Sequence, residues 1–522
     1  MNSDTDAQVL IVGAGPTGLA LALSLARFGT RIRIIDKTDA VAPVSRALGV
    51  HARTLEFYRQ LGFANEVVNS GVIVPSVNLW ARGRRVASVP FRNIGEGLTP
   101  FPFVLNFAQD EHERVLIAQL EAAGGQVERQ TELIGLTQDA TGVCARLRRA
   151  GGAEEECRIS YIAGCDGTRS AVRTTLRVEF RGGTYEHLFF VADVTARGPA
   201  VDDGIHVDLD EADLLAIFDM KGTGHIRLVG TVMGEASRDD RSSLSFADVA
   251  RQPLEQLRLD VERVHWFSTY RVYHRVASRF RVGRAFLLGD AAHVHSPVGA
   301  QGMNTGIGDA MNLAWKLAAV LRGDADAKLL DTYETERIAF ARRLVATTDR
   351  AFEIATKSGP LAALIRTRLF PLAVSILFRS RAVRRYLFRT VSQIMINYRD
   401  SPLSVGRAGS VRGGDRLPWV APEGAGDDDN YKALMSRRWQ VHVYGEMPPG
   451  ARDACDQLRL ETHCFDWRPA MARAGFARNG LYLVRPDGYV ALADVEAAAP
   501  RLREYVLKNR LSQPEFHVNN AV

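Results

Sequence analysis

Three glycines near the start of the chain, Gly13, Gly15 and Gly18, stand at G-x-G-x-x-G spacing, and an acid, Asp36, follows them at the end of the next apolar run. This set is suited to gripping a dinucleotide. The first glycine permits a tight turn, the second leaves room for backbone to approach a pyrophosphate, and the third lets a helix pack closely on the preceding strand. Free N–H groups and the positive dipole end at the helix start then attract the phosphates. Asp36 is placed to accept hydrogen bonds from both ribose hydroxyls, and it repels a 2′-phosphate, so an unphosphorylated adenosine ribose is favoured. Pro16 and Thr17 complete the loop, and Lys37 follows the acid.

A second stretch, G-D-A-A-H-V-H-S-P-V-G-A-Q-G-M-N at 289–304, brings Asp290 to the end of an apolar run and Gly302, Met303 and Asn304 to the start of a helical one. A carboxylate there suits a polyol, and backbone N–H groups at a helix start favour negative charge on an electron-rich ring, the two needs of a ribityl chain and its ring. His293 and His295 have no further ligands close in sequence, so a metal site is not expected. A third stretch, C-D-G-T-R-S-A-V-R at 165–173, turns sharply after an apolar run. Arg46 follows the second strand, where its planar fork suits a phosphate; a surface salt bridge is the other reading.

These residues need elements to hold them. Residues 9–12 read as a strand, 19–28 as a helix stopped by Gly29, and 32–35 as a second strand. Alternation over 74–91 predicts antiparallel strands, 110–123 a helix closed by Gly124 and Gly125, and 127–148 paired strands. Strand signals dominate 180–273, a β-rich insertion able to floor a substrate cavity, and a long helix is expected over 304–322. The basic, apolar stretch 359–396 reads as helices packing their apolar face inward, with a membrane-surface helix as the alternative. The Gly-, Pro- and Asp-rich stretch 401–429 reads as a linker, Pro486-Asp487-Gly488 as a hairpin turn and 495–509 as a closing helix.

The 522 residues, 46% apolar and 24% charged with a net charge of +6, are those of a globular protein of two or three domains. Basic residues are not interleaved with aromatics in blocks, so no nucleic-acid partner is expected. Five cysteines without a C-x-x-C pair fit thiols packed in a reducing compartment. The opening M-N-S-D-T-D-A-Q has no signal-peptide pattern, and Arg366 and Arg368 interrupt the most apolar later stretch. The expectation is a cytoplasmic protein, not an integral membrane one.

Together the three motifs resemble the single-component, FAD-dependent aromatic hydroxylases, the group A flavoprotein monooxygenases, over about residues 9–403. The tail is similar to the thioredoxin-like domain of the phenol, hydroxyphenylpropionate and polyketide hydroxylase branch, here without C-x-x-C, so a packing or homodimer-contact role is implied rather than disulfide exchange. The implied fold is α/β: a Rossmann-like FAD-binding domain in three parts (1–75, 106–179, 276–400), an inserted β-sheet substrate domain (76–105, 180–275), a linker (401–429) and the thioredoxin-like domain (430–522).

The resemblance also implies site roles. Gly13, Gly15, Pro16, Thr17, Gly18, Asp36 and Lys37 hold the ADP half of FAD, and Arg46 and Gln109 contact its phosphate and ribityl regions. Asp166 belongs to a motif tied to FAD and nicotinamide, Gly289 and Asp290 bind the ribityl or pyrophosphate part, Pro297 flanks the ring, and Gly302, Met303 and Asn304 face its pyrimidine edge. The implied chemistry uses NAD(P)H and O₂ to hydroxylate a phenolic or other electron-rich aromatic through a C4a-hydroperoxyflavin. Baeyer–Villiger or epoxidising oxygenation of a polyketide, or a non-oxygenating flavin-binding sensor, are the alternatives. No catalytic base is assigned: His51, His206, Tyr270 and Tyr273 are candidates, each open to a structural reading.

Overall fold

Four largely apolar strands, Val9–Val12, Ile32–Ile35, Tyr161–Gly164 and Ala285–Leu287, show the pattern of strands covered on both sides, with Arg33 in the second buried against Glu128, and in the computed structural model they run parallel in one sheet. Val127–Glu128 extends the sheet beyond Ile32–Ile35, and Arg281–Val282 closes the other edge antiparallel. The structure describes residues 7–41, 47–202, 204–210, 215–221, 224–232, 244–297, 299–356, 359–424 and 428–511. Arg46 lies outside the described residues.

The helix Pro16–Arg27 buries Leu19, Leu21, Leu23 and Leu25 completely between this sheet and the helix Gly302–Arg322. Close packing is enforced by Gly18, where a Cβ would run into the Gly13 carbonyl. A three-stranded meander, Glu132–Gln138, Val143–Arg148 and Glu154–Ile159, leads back into the sheet.

A second, eight-stranded sheet is built from two distant segments. Ser76–Ala81 and Arg84–Pro90 pair as a hairpin, and Ser76–Ala81 runs parallel to Ile205–Asp208. The long strands Phe180–Arg197 and Asp260–Ala277 pair antiparallel along their length. Within this β-rich stretch lies a helix, Phe246–Leu257, that the sequence reading did not anticipate. Its signal was local, a capping box in which Ser245 and Asp248 bond reciprocally.

Two expectations need correction. The stretch 401–429 is not all linker: Val405–Ala408 and Val411–Arg412 are strands, and the first pairs with Val490–Asp494 in the six-stranded C-terminal sheet. Its glycines serve close backbone approach rather than flexibility, since a Cβ on Gly406 would strike the Ala493 carbonyl. The stretch 359–396 turns inward only toward its end, where Phe388, Ile394 and Ile396 are buried; residues 361–377 leave their apolar face outside. The stretch forms Pro360–Leu364, a π-helical turn, Phe370–Leu377 and then, beyond a 106° bend, Arg381–Val391, and it leaves Leu361 69% and Leu372 58% exposed. No single helix among the described residues is long and apolar enough to cross a membrane.

The C-terminal sheet is locked to the rest by buried ions. Glu336 on the helix Asp331–Thr356 accepts from Lys316 Nζ (2.8 Å), Asn312 (2.6 Å), Ser401 Oγ (2.7 Å) and both Nη atoms of Arg485 (2.7 and 3.0 Å). Arg485 also pairs with Asp487 in the Pro486-Asp487-Gly488 turn, whose carbonyl at Asp487 accepts from Arg53 (2.7 Å). Burial raises the Glu336 carboxyl, but Arg485 and Lys316 outweigh it and hold the group well below the usual range; burial brings Lys316 down to about 8.

Two stability outcomes follow. Glu336→Ala leaves buried Lys316 without its carboxylate partner and Arg485 with Asp487 alone, and destabilises the protein by about 3–5 kcal/mol in urea unfolding. Burial also pushes His51, His112, His295 and His442 down to about 4, 3, 4 and 3 from 6.5. Because each is lowered on folding, the unfolded chain binds more protons as pH falls below 6.5. Each histidine thus contributes a loss approaching about 1.4 kcal/mol per pH unit, read as a falling melting temperature from pH 7 to pH 5.

Candidate functional site

Parallel strands end on one edge of their sheet, and the three chemically suggestive stretches all leave that edge. After Val12 the chain turns at Gly13, where φ is +101° and a Cβ would meet the Cys165 carbonyl. Gly13 N–H donates to Ile35 O (2.8 Å) and Ala14 N–H to Asp36 Oδ2 (2.7 Å). Asp36 Oδ1 accepts from Thr38 N–H (2.9 Å) and its hydroxyl (2.7 Å), so Asp36 shapes the glycine loop itself.

The second stretch follows Tyr161–Gly164. Asp166 Oδ2 accepts from the N–H groups of Ala171 (2.6 Å) and Val172 (3.2 Å) at the start of the helix Ala171–Thr175, while Oδ1 is buried without a hydrogen-bond partner. Burial pushes this carboxyl up. Arg173 stacks 4.0 Å over Phe180 and donates to Thr168 O (2.7 Å) and Ala291 O (2.9 Å), clamping the second stretch onto the third.

The third stretch turns at Gly289, with φ +55° and no room for a Cβ beside Thr17. Its N–H donates to Asp309 Oδ2 (2.9 Å), which also meets His293 Nε2 (2.8 Å), while Asp309 Oδ1 accepts from Arg337 Nε (2.6 Å). His293 is thereby a buried structural partner. Arg337 reaches on to Thr305 O (3.0 Å) and the Tyr398 hydroxyl (2.9 Å). Asn304 spends its side chain inside the protein, accepting from His51 N–H (2.9 Å) and Thr54 Oγ (2.7 Å) and donating to Gly49 O and Ala300 O (both 2.9 Å).

These stretches enclose one side of a cavity of about 760 Å³. Of the expected binding residues, Gly15, Pro16, Thr17, Gln109, Asp290, Pro297, Gly302 and Met303 line it. Gly13, Gly18, Asp36, Lys37, Asp166, Gly289 and Asn304 do not; they build the loops behind the wall or stand beside it. The lining residue Gly167 sits in the left-handed region at φ +74°, so its own backbone favours glycine; at Gly15 no atom lies within 4 Å of where a Cβ would sit, and nothing in the folded chain demands a glycine there. A group seated in the cavity does. With the unpartnered Asp166 oxygen and the start of the helix Pro16–Arg27 close by, the residues fit a flavin dinucleotide.

The opposite wall comes from the eight-stranded sheet: Phe218, Arg227, Val229, Trp266, Ser268 and Tyr270. Arg227 is buried and bidentate to Asp193 (2.7 and 2.8 Å). Alternation marks a strand without telling which strand faces a ligand, so apart from the candidate Tyr270 these residues are not legible in the sequence. Of the four base candidates, Tyr270 lines the cavity; Tyr273 does not, His51 is tied to Gly299 O (2.9 Å), and His206 is buried between Trp80 (2.8 Å) and Asp202 (2.8 Å). His295, weighed from the sequence only as a metal ligand, does line it. Its Nδ1 donates to Ser296 O (2.7 Å), which leaves Nε2 a lone pair, buried and unpartnered, on a ring that burial keeps neutral.

Residues 6–348 match the family described as FAD binding domain. The chain is 34% identical over 513 residues to the 6-methylpretetramide 4-monooxygenase of Streptomyces rimosus, covering 93% of this chain and 90% of that one. It is 34% identical over 420 residues to the pentachlorophenol 4-monooxygenase of Sphingobium chlorophenolicum, covering 79% and 76%. It superposes with a TM-score of 0.78 and 28% identity on aklavinone-11 hydroxylase, solved as a ternary complex with FAD and aklavinone, over 98% of this chain and 100% of that one.

The two kinds of glycine separate experimentally. Gly15→Ala keeps the melting temperature of the apoprotein but weakens FAD binding about tenfold or more, ~1.4 kcal/mol, whereas Gly18→Ala lowers the melting temperature or abolishes soluble protein; flavin fluorescence and scanning fluorimetry read the two effects.

Proposed function

The chain belongs to the FAD binding domain family and is a flavoprotein monooxygenase, and from that premise we propose that it hydroxylates an electron-rich aromatic ring, a phenol or a phenolic polycycle of polyketide type, with NAD(P)H and O₂ as co-substrates. The observation that carries the reading is the pairing of walls in one cavity: glycine loops and helix starts on one side, and an apolar aromatic face with a single anchored guanidinium on the other.

FAD held here would supply the redox chemistry, hydride uptake from NAD(P)H and activation of O₂, with one oxygen atom going to the ring and the other leaving as water. We assign the chain four tasks around it. Gly15, Pro16 and Thr17 seat the pyrophosphate at the positive end of their helix, and Asp290 accepts from the ribityl hydroxyls. The N–H groups of Gly302 and Met303 stabilise negative charge at the pyrimidine edge of the ring. Phe218, Val229 and Trp266 keep water from the reacting atoms, which limits loss of the activated oxygen as peroxide.

The fourth task concerns the substrate hydroxyl. Arg227, held at the wall by Asp193, which balances its charge, is placed to donate a hydrogen bond to a substrate oxygen. Nε2 of His295 is an acceptor able to take a hydrogen bond from a hydroxyl in the cavity.

Asp290→Ala lowers the flavin-to-protein absorbance ratio of the purified protein while circular dichroism stays that of the parent; unchanged flavin occupancy removes Asp290 from its contact. In a panel of phenols and phenolic polycycles, at least one compound accelerates NAD(P)H oxidation and gains one oxygen atom with retention of the carbon skeleton. Tight aromatic binding with no accelerated oxidation in any member, or insertion of oxygen into a ring C–C bond, overturns the hydroxylase reading.

A further inference from the structure

The helical stretch that leaves its apolar face outside carries the strongest charge imbalance in the chain. Between Glu353 and Asp400 there is no acidic residue, while eight arginines and one lysine contribute +9, so the remainder of the chain is net −3. The same stretch exposes Leu361, Leu364, Leu369, Leu372, Ile376 and Leu377, each between 44% and 69% accessible. Soluble surfaces do not ordinarily gather such residues in one place.

The stretch is not loosely attached. Pro371 is buried, Val374 packs against Leu79, Ala87 and Leu209 on the eight-stranded sheet, and Arg366 Nε donates to Leu209 O (3.0 Å). At its far end Phe388 is buried, Ser392 O accepts from Arg53 N–H (3.2 Å), and Gln393 Nε2 donates to Thr305 Oγ1 (2.9 Å) and to Gln301 O (3.3 Å). Gln301 lines the flavin cavity. One side is therefore fixed to the domain and the other is offered outward, beside cationic groups such as Arg368 and Arg379 that are themselves exposed.

We propose that this surface docks the protein on the face of a bilayer of anionic phospholipid. Apolar side chains flanked by arginines, on a stretch without acids of its own and with the exposed Glu96 carboxylate 3.8 Å from Arg381, match the acyl boundary and the phosphate layer above it. A second copy of the chain fits less well. A two-fold contact sets this patch against itself, arginines against arginines, with no carboxylate of the stretch to separate them. Nor does the segment cross: seventeen residues, Leu361–Leu377, end at a 106° bend and contain Arg366 and Arg368, so they lie in the interface rather than through it. The docking does not depend on the oxygenation chemistry, and the far end of the segment, at Gln393, contacts the cavity-lining Gln301.

Flotation of the FAD-loaded full-length protein tests this. It rises with vesicles of phosphatidylglycerol and phosphatidylcholine in equal parts, stays behind with phosphatidylcholine alone, and is released at about 1 M salt, where charge is screened beyond about 3 Å. Leu372→Glu with Ile376→Glu, both at exposed positions, lowers binding about tenfold or more, and so does Arg379→Glu with Arg381→Glu, each without change in bound flavin. Absence of flotation with the anionic vesicles, equal flotation with neutral ones, or variants that float like the parent overturns the proposal. So does a dimer by light scattering that the Leu372→Glu/Ile376→Glu variant splits while vesicle binding is absent, since it shows a second copy covering the patch.

Discussion

Asp309 is almost completely buried, and the shape of the cavity follows from keeping its charge satisfied. A carboxylate withdrawn from water needs donors on both oxygens, and its partners come from three places in the chain: the Gly289 N–H, the His293 ring and the Arg337 guanidinium. Burial raises its pKa, but Arg337 and His293 outweigh that and keep it ionised. The consequence is geometric. Holding Gly289 N–H fixes the left-handed turn that presents Asp290 to the cavity, and Arg337, bonded to Thr305 O, fixes the first turn of the helix that begins at Gly302.

Around that centre the glycines divide by what excludes a side chain. At Gly13, Gly18 and Gly289 other parts of the chain occupy the space, so these positions belong to folding. At Gly15 the space is open and faces the cavity and the backbone is unstrained, so this position belongs to binding, while Gly167, also open to the cavity, is glycine for its left-handed backbone at φ +74°. A single spacing rule therefore contains two physical demands. Convergence of the stretches has an equally simple cause: Val9–Val12, Tyr161–Gly164 and Ala285–Leu287 are parallel neighbours, and everything that follows them starts from the same edge.

The C-terminal sheet completes the molecule through ions rather than through apolar contact alone. Glu336, Lys316, Arg485 and Asp487 form a fully buried set spanning two helices and a hairpin turn, and Trp315 donates to Asp487 across the same junction (3.1 Å). Such a set adds little net stability compared with well-packed apolar residues, but it admits one relative placement of the two parts. Cys455 and Cys464 are both free thiols here, the first buried and the second exposed.

What the sequence by itself determined is local. Strand, turn, helix and acid over residues 9–36, the Asp290 loop and the Pro486-Asp487-Gly488 turn were legible because short-range sterics and capping decide them within a few residues. Tertiary structure decided what no local rule reaches. It made strands of 405–412, where glycine signalled close packing instead of a linker, and it turned the apolar side of 361–377 outward, since periodicity marks a face without saying what covers it. It also chose Arg227, Trp266 and Tyr270 for the cavity wall, and set His295 rather than His51 or His206 before the open space. Which side of a sheet meets a ligand depends on pairings between residues scores of positions apart, and that information exists only once the chain has folded.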